Sequence, residues 1–258
     1  QEYSNTEPKG RGPAGGFGED DFTRQCRLVE RLLLDRCAGI YEARGVPARR
    51  LGSLKAAAKL AKEWAALEAE GMAGLRSRCE LLALPCEHLQ KQELLVLLRD
   101  VALWGVLPLA DLKLECRARG IAIPTLRGSE DDQRGVLLDV LLVECCEAFY
   151  ENRGVPIRRI GSVQAAARLA FRWRQLETMG DNALLLKATG FGVHVEAGLG
   201  MSELRDRLKS AMLWHELSLK ELQKECRHYG VNTIAREEQR RDLAMQLAAA
   251  LWAPKPSA

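Results

Sequence analysis

One stretch of this chain occurs twice. Residues 41–64, YEARGVPARRLGSLKAAAKLAKEW, return as residues 150–173, YENRGVPIRRIGSVQAAARLAFRW, with 16 of 24 positions identical at a constant offset of 109. Farther along, Trp104, Cys116 and Gly120 match Trp214, Cys226 and Gly230 at an offset of 110, and LPLADLKLECRARGI lines up with LSLKELQKECRHYGV. Self-similarity at a fixed period marks tandem structural units that bury their apolar faces against one another. The closing helix of the unit recurs as DDQRGVLLDVLL at 131–142, as EEQRRDLAMQLAAAL at 237–251 and, more weakly, as DFTRQCRLVERLLL at 21–34. The chain therefore opens on the last element of a unit. Either the array is cut from a longer tandem precursor, or the unit is framed as starting with this helix.

The expected layout is an extended tail at 1–20, a first helical repeat at 21–142, a second at 143–253 and a short tail at 254–258. The first tail is rich in Gly, Pro and charge, so it has no apolar pattern to fold on and needs a partner surface to order it. Elsewhere the period is helical. Leu28, Leu32 and Leu33 form one apolar stripe, as do Leu60, Trp64 and Leu67. Ser53 and Ser162 stand as N-caps before Ala-rich runs. Gly45, Gly120, Gly154 and Gly230 sit where a left-handed C-cap needs glycine, and Pro47, Pro124 and Pro156 then keep the chain extended. The pattern predicts an all-α chain of about eleven helices, with GFGVHVEAGLG at 190–200 as a loop or a short strand.

Composition narrows the class. No apolar run reaches the roughly 18 residues that span a bilayer. Lys and Arg total 38 against 35 Asp and Glu, so the basic excess typical of a protein that wraps nucleic-acid backbone is missing. The eight cysteines show no two-residue spacing. They read as small buried apolar residues in a reducing intracellular compartment rather than as a disulfide framework or a zinc site. The first residue is Gln1, which fits a processed protein and hence a plastid or mitochondrion after presequence removal; the nucleus is the alternative.

In the segment 217–247, LSLKELQKECRHYGVNTIAREEQRRDLAMQL, a short helix ends at a glycine, an extended link follows and a second amphipathic helix packs back. Leu219, Leu222, Cys226, Gly230, Val231, Leu243 and Leu247 carry this pattern; Leu109, Leu112, Cys116, Gly120, Ile121, Leu137 and Leu141 carry it in the first repeat. Over these two stretches, and no more of the chain, it resembles the SAP motif, a helix–extended–helix module of DNA- and RNA-associated proteins. The resemblance implies nucleic-acid contacts from the link and the start of the second helix, here Arg127, Arg236, Arg240 and Arg241. The family's Gly–Lys pair before that helix is replaced by Ile234-Ala235-Arg236 and by a longer acidic stretch at 127–132. The two segments carry net charges of only +1 (218–252) and −1 (109–142).

The duplicated stretch itself is the second candidate. Residues 41–64 hold six Lys or Arg against two acids, and residues 150–174 hold six against one. Arg49-Arg50 and Arg158-Arg159 precede the Gly-Ser start of an Ala-rich helix, whose free N–H groups favour anions. Arg44, Ser53, Lys55 and Lys59, with Lys62 on the same face, extend that character in the first copy; Arg153, Ser162, Arg168 and Arg172 extend it in the second. Phosphate, an acidic protein surface or anionic headgroups would suit such a corner. The competing reading makes the segment a structural link whose arginines pair with neighbouring acids. Tyr41, Val46, Trp64, Tyr150, Val155, Trp173, Trp104 and Trp214 read as core. The four histidines show no metal-ligand spacing, and no nucleophile–base arrangement stands out, so neither catalysis nor a metal or other cofactor is expected. The reading is a structural or linker subunit that binds protein partners through helical faces, the basic segments and the tail. Nucleic-acid binding is the alternative, and peripheral membrane contact is compatible with it.

Overall fold

The computed structural model describes residues 18–196, 198–233 and 236–253. Most of the N-terminal tail, the C-terminal tail and Ile234-Ala235 lie outside the described residues. Every regular element among the described residues is helical. In chain order these are α1 (Gly18–Glu42), α2 (Ala48–Leu51), α3 (Leu54–Ala69), α4 (Met72–Leu81), α5 (Lys91–Val106), α6 (Leu109–Ala118) and α7 (Glu130–Glu151). They continue as α8 (Ile157–Ile160), α9 (Val163–Thr178), α10 (Asp181–Gly190), α11 (Met201–Glu216), α12 (Leu219–His228) and α13 (Arg240–Trp252), the last entered through a 3-10 turn at Glu237–Gln239. Helices α3 to α6 have 16, 10, 16 and 10 residues, and so do α9 to α12. Among the described residues no helix is long and apolar enough to cross a membrane. The described part of 190–200 holds no strand.

Two helices were not foreseen. The sequence pattern predicts extended chain after Pro47 and Pro156, but each proline is the N-cap of a single helical turn, α2 or α8. Pro fixes φ near the helical value and has no N–H to lose at a helix start, so the turn begins directly behind it. It ends one turn later at Gly52 and Gly161, both left-handed. Pro124 does lie in irregular chain, between α6 and α7.

The chain divides into two compact units. One runs to Ala66 and takes in Val106–Pro108; the other comprises Leu67–Gly105 and the chain from Leu109 on. In the first unit α2 packs on α1, with Ala38, Val46, Ala48 and Leu51 buried. In the second, α11 packs against α9, α10 and α13, and α7 against α6, α8 and α9. Its core holds Trp104, Leu112, Leu137, Leu141, Tyr150, Leu169, Leu208 and Trp214; among the described residues none of polar or charged type is buried, and the Tyr150 hydroxyl donates to the Ala83 carbonyl at 2.9 Å. Val46, Val155, Tyr150, Trp104 and Trp214 are core as expected, whereas Tyr41, Trp64 and Trp173 are only half-buried. Leu28, Leu32 and Leu33, the apolar stripe on α1, are exposed.

Six helix ends share one turn. After α1, α6, α7 and α12, a glycine at positive φ (Gly45, Gly120, Gly154, Gly230) lets the following amide reach back to a carbonyl in the last turn: Val46 to Tyr41, Ile121 to Cys116, Val155 to Tyr150 and Val231 to Cys226, at 2.8–3.0 Å. This is the Schellman arrangement, which satisfies carbonyls that the helix leaves open. Gly192 does the same after α10. The sixth, after α4, is formed by Ala83 at φ 57°, with the Leu84 amide on the Cys79 carbonyl at 2.8 Å. An L-residue with a Cβ is strained there. Ala83→Gly is expected to raise stability in urea unfolding by about 0.5–1 kcal/mol, the relief of left-handed strain less the added chain entropy of glycine. No change, or a loss, would mean that the turn is not strained.

Candidate functional site in the arginine-rich segments

The second copy of the duplicated segment runs from the end of α7 through α8 into α9. The Ser162 hydroxyl accepts the Ala165 amide at 3.4 Å, as the N-cap reading requires. Arg158 and Arg159 lie on α8 and turn away from that helix start. Arg158 reaches Glu144 at 3.0 Å and Glu147, both on α7, and Arg159 reaches Glu225 on α12. The hydrogen bond and charge of Glu147 hold the Arg158 guanidinium above its ordinary pKa. Arg168 and Arg172 converge on Glu216 at 3.3 and 2.8 Å. Arg153 covers the Phe149 ring at 3.7 Å, donates to the Phe149 carbonyl at 3.1 Å and pairs with Glu87, which also takes Arg174 at 3.4 Å. Partial burial works to raise the Glu87 pKa, but the two guanidiniums outweigh it and hold the carboxyl below its usual range. That cluster lines a cavity of about 520 Å³ whose other walls include Cys86, Phe149, Tyr150 and Phe171. All six cations of residues 150–174 are thus paired with carboxylates.

The first copy has the same backbone but different electrostatics. Ser53 accepts the Ala56 amide at 3.4 Å, and Arg49 on α2 pairs with Glu42. Arg50, beside it, is exposed. Arg44, Lys55, Lys59 and Lys62 are exposed, and among the described residues none has a carboxylate within ion-pair distance. Lys55, Lys59 and Lys62 follow at spacings of four and three along α3, so their ammonium groups share one face. Their counterparts at an offset of 109 are Gln164, Arg168 and Phe171: one is neutral, one is paired to Glu216 and one is aromatic.

The residues implied by the SAP resemblance are placed differently from one another. Arg127 and Arg241 are exposed. The Arg236 amide donates to the Gln239 side chain at 3.1 Å. The Arg240 guanidinium donates to the Leu217 carbonyl at 2.6 Å, beyond the last turn of α11, and Arg134 donates to the Gly105 carbonyl at 3.1 Å near the end of α5. Cations near a helix C-terminus satisfy open carbonyls and oppose the helix dipole, which accounts for an arginine at the start of α7 and of α13.

Pairing of these arginines with neighbouring acids is one of the two readings the sequence offers, but the sequence does not single out which acids. Glu144 and Glu147 lie three positions apart on one helical face, a signal that was available; Glu216, Glu225 and Glu87 come from 44 to 87 residues away and leave no local trace. Among the described residues no three His, Cys, Asp or Glu side chains come together as a metal site. No known family model, curated protein or solved structure matches this chain.

Proposed function

We propose that this chain is a non-enzymatic structural or linker subunit of a larger assembly. Its two tandem modules, marked by the duplicated sequence and built from helix–extended–helix segments, hold one cationic face ready for an acidic protein surface. The carrying observation is the inequality between the copies. The second basic segment is neutralised by Glu87, Glu144, Glu147, Glu216 and Glu225, while Arg44, Lys55, Lys59 and Lys62 of the first make no ion pair among the described residues. Solvated, unpaired lysines on one face raise the local potential, steer an oppositely charged partner and release it at high salt. All eight cysteines are free thiols, which supports a reducing intracellular setting such as an organelle interior.

The test is a triple charge reversal, Lys55→Glu with Lys59→Glu and Lys62→Glu, in the full chain. All three side chains are exposed, so helical circular dichroism is expected to stay unchanged. The partner that co-purifies with the wild type, identified by native mass spectrometry, is expected to bind at least about tenfold more weakly, since each lost contact at such a face contributes of order 0.5–1 kcal/mol. Equal retention of the partner by the variant would overturn the reading. So would tight, sequence-specific binding of DNA or RNA by the isolated chain.

A further inference from the structure

Helix α1 is apolar on two sides. Toward its C-terminal end Ala38 is buried and Leu34, Cys37 and Tyr41 are half-buried, and α2 packs there. The opposite side carries Phe22, Leu28, Val29, Leu32, Leu33 and Ile40, each between 49 and 69% exposed. A continuous apolar stripe of that length on a solvent face marks an interaction surface. Its counterpart shows what such positions do when covered. Leu137 and Leu141, the equivalents of Leu28 and Leu32 at the offset of the duplication, are wholly buried where α7 packs on α6. Leu243 and Leu247 are buried where α13 packs on α12 and α11. Both α6-type surfaces of the chain are therefore already occupied by a helix of their own, and what a second copy can offer is α1 itself.

The order of residues along α1 matches that occupant. Arg24, Leu28, Leu32 and Asp35 follow one another at spacings of four, four and three on one flank of the stripe; Phe22, Val29, Leu33 and Ile40 follow at seven, four and seven on the other. Each series is self-complementary about a point near residues 30 and 31. We infer that two copies of this chain associate through an antiparallel pair of α1 helices, related by a two-fold axis near Glu30 and Arg31. A two-fold interface is isologous, so every contact occurs twice, and an axis perpendicular to both helices brings residues of the same flank together. Leu28 then meets the second copy's Leu32, Val29 meets Leu33 and Phe22 meets Ile40. At the rim Arg24 faces Asp35, two reciprocal ion pairs that fix the antiparallel sense, because a parallel pair would set arginine beside arginine. Along the seam Gln25 faces Arg36, the one polar layer. This dimer does not depend on the cationic face of α3.

Light scattering of the full chain at tens of micromolar, the range in which a small interface associates, should give twice the 28.7 kDa of one chain. Leu28→Glu with Leu32→Glu should return the mass to a single chain with unchanged helical circular dichroism, since both leucines are exposed. The orientation is tested in a Cys26→Ser background, which removes the exposed native thiol. Arg24→Cys mixed with Asp35→Cys should yield a covalent dimer on mild oxidation, and neither variant alone should. A wild type of single-chain mass at these concentrations overturns the inference, as does cross-linking of Arg24→Cys to itself.

Discussion

Trp214→Ala is expected to lower the unfolding free energy by about 3–5 kcal/mol, the range for deleting a buried aromatic ring without collapse of the surrounding cavity. The reasons lie in what the ring touches. Trp214 is 3% exposed, stacks on Trp252 with ring centroids 5.2 Å apart and planes 20° apart, and takes the edge of Tyr229 at 6.4 Å. It stands on α11, which packs against α9, α10 and α13, so its loss loosens several helix contacts at once. Against a total stability of about 5–15 kcal/mol for a typical domain, this is a large share, and the variant should melt roughly 10 °C or more earlier. Denaturant titration at constant slope measures it. A loss below about 1.5 kcal/mol would show that the site repacks and that the Trp214–Trp252 stack holds little together.

Gly192→Val should cost about 3 kcal/mol, through left-handed strain and overpacking together. Gly192 has φ 69°, where a β-branched residue is strained by about 1–2 kcal/mol. A Cβ there would also sit 3.1 Å from the Met245 Cε and 3.5 Å from the Met245 carbonyl oxygen, which adds overpacking of similar size. Ala83, the counterpart of Gly192 at the offset of the duplication, takes the same turn with a side chain, so the turn alone tolerates a Cβ. Gly192→Val combined with Met245→Ala should therefore recover part of the loss in the same unfolding experiment. If the double variant is no better than Gly192→Val, the approach of α13 to this turn is not what restricts the position.

How much of this was visible beforehand follows the range of the interactions involved. The glycine C-caps at Gly45, Gly120, Gly154 and Gly230 and the serine N-caps at Ser53 and Ser162 were legible because each rests on residues a few places apart. Ala83 escaped notice because alanine gives no hint of a left-handed backbone. Pro47 and Pro156 suggest extended chain, but proline serves equally at the start of a helix; the glycine five positions later, closing one turn, is the distinguishing signal. The pairing of Arg159 with Glu225 and of Arg172 with Glu216 spans 66 and 44 residues and depends on how α8 and α9 meet α11 and α12, which no local pattern encodes. The stripe on α1 is legible as apolar, but not as exposed. Helical periodicity identifies an apolar face but says nothing of what covers it.

The unequal pairing of the two basic segments also sets a number. A chain with a duplicated cationic motif would ordinarily be bivalent and would bind an acidic partner with the avidity of two linked sites. Here the carboxylates of α7, α11 and α12 occupy the second motif from within, so a titration with that partner should saturate at one per chain. On this reading each chain offers one such face, so avidity would arise only where two chains are joined, as in a dimer through α1.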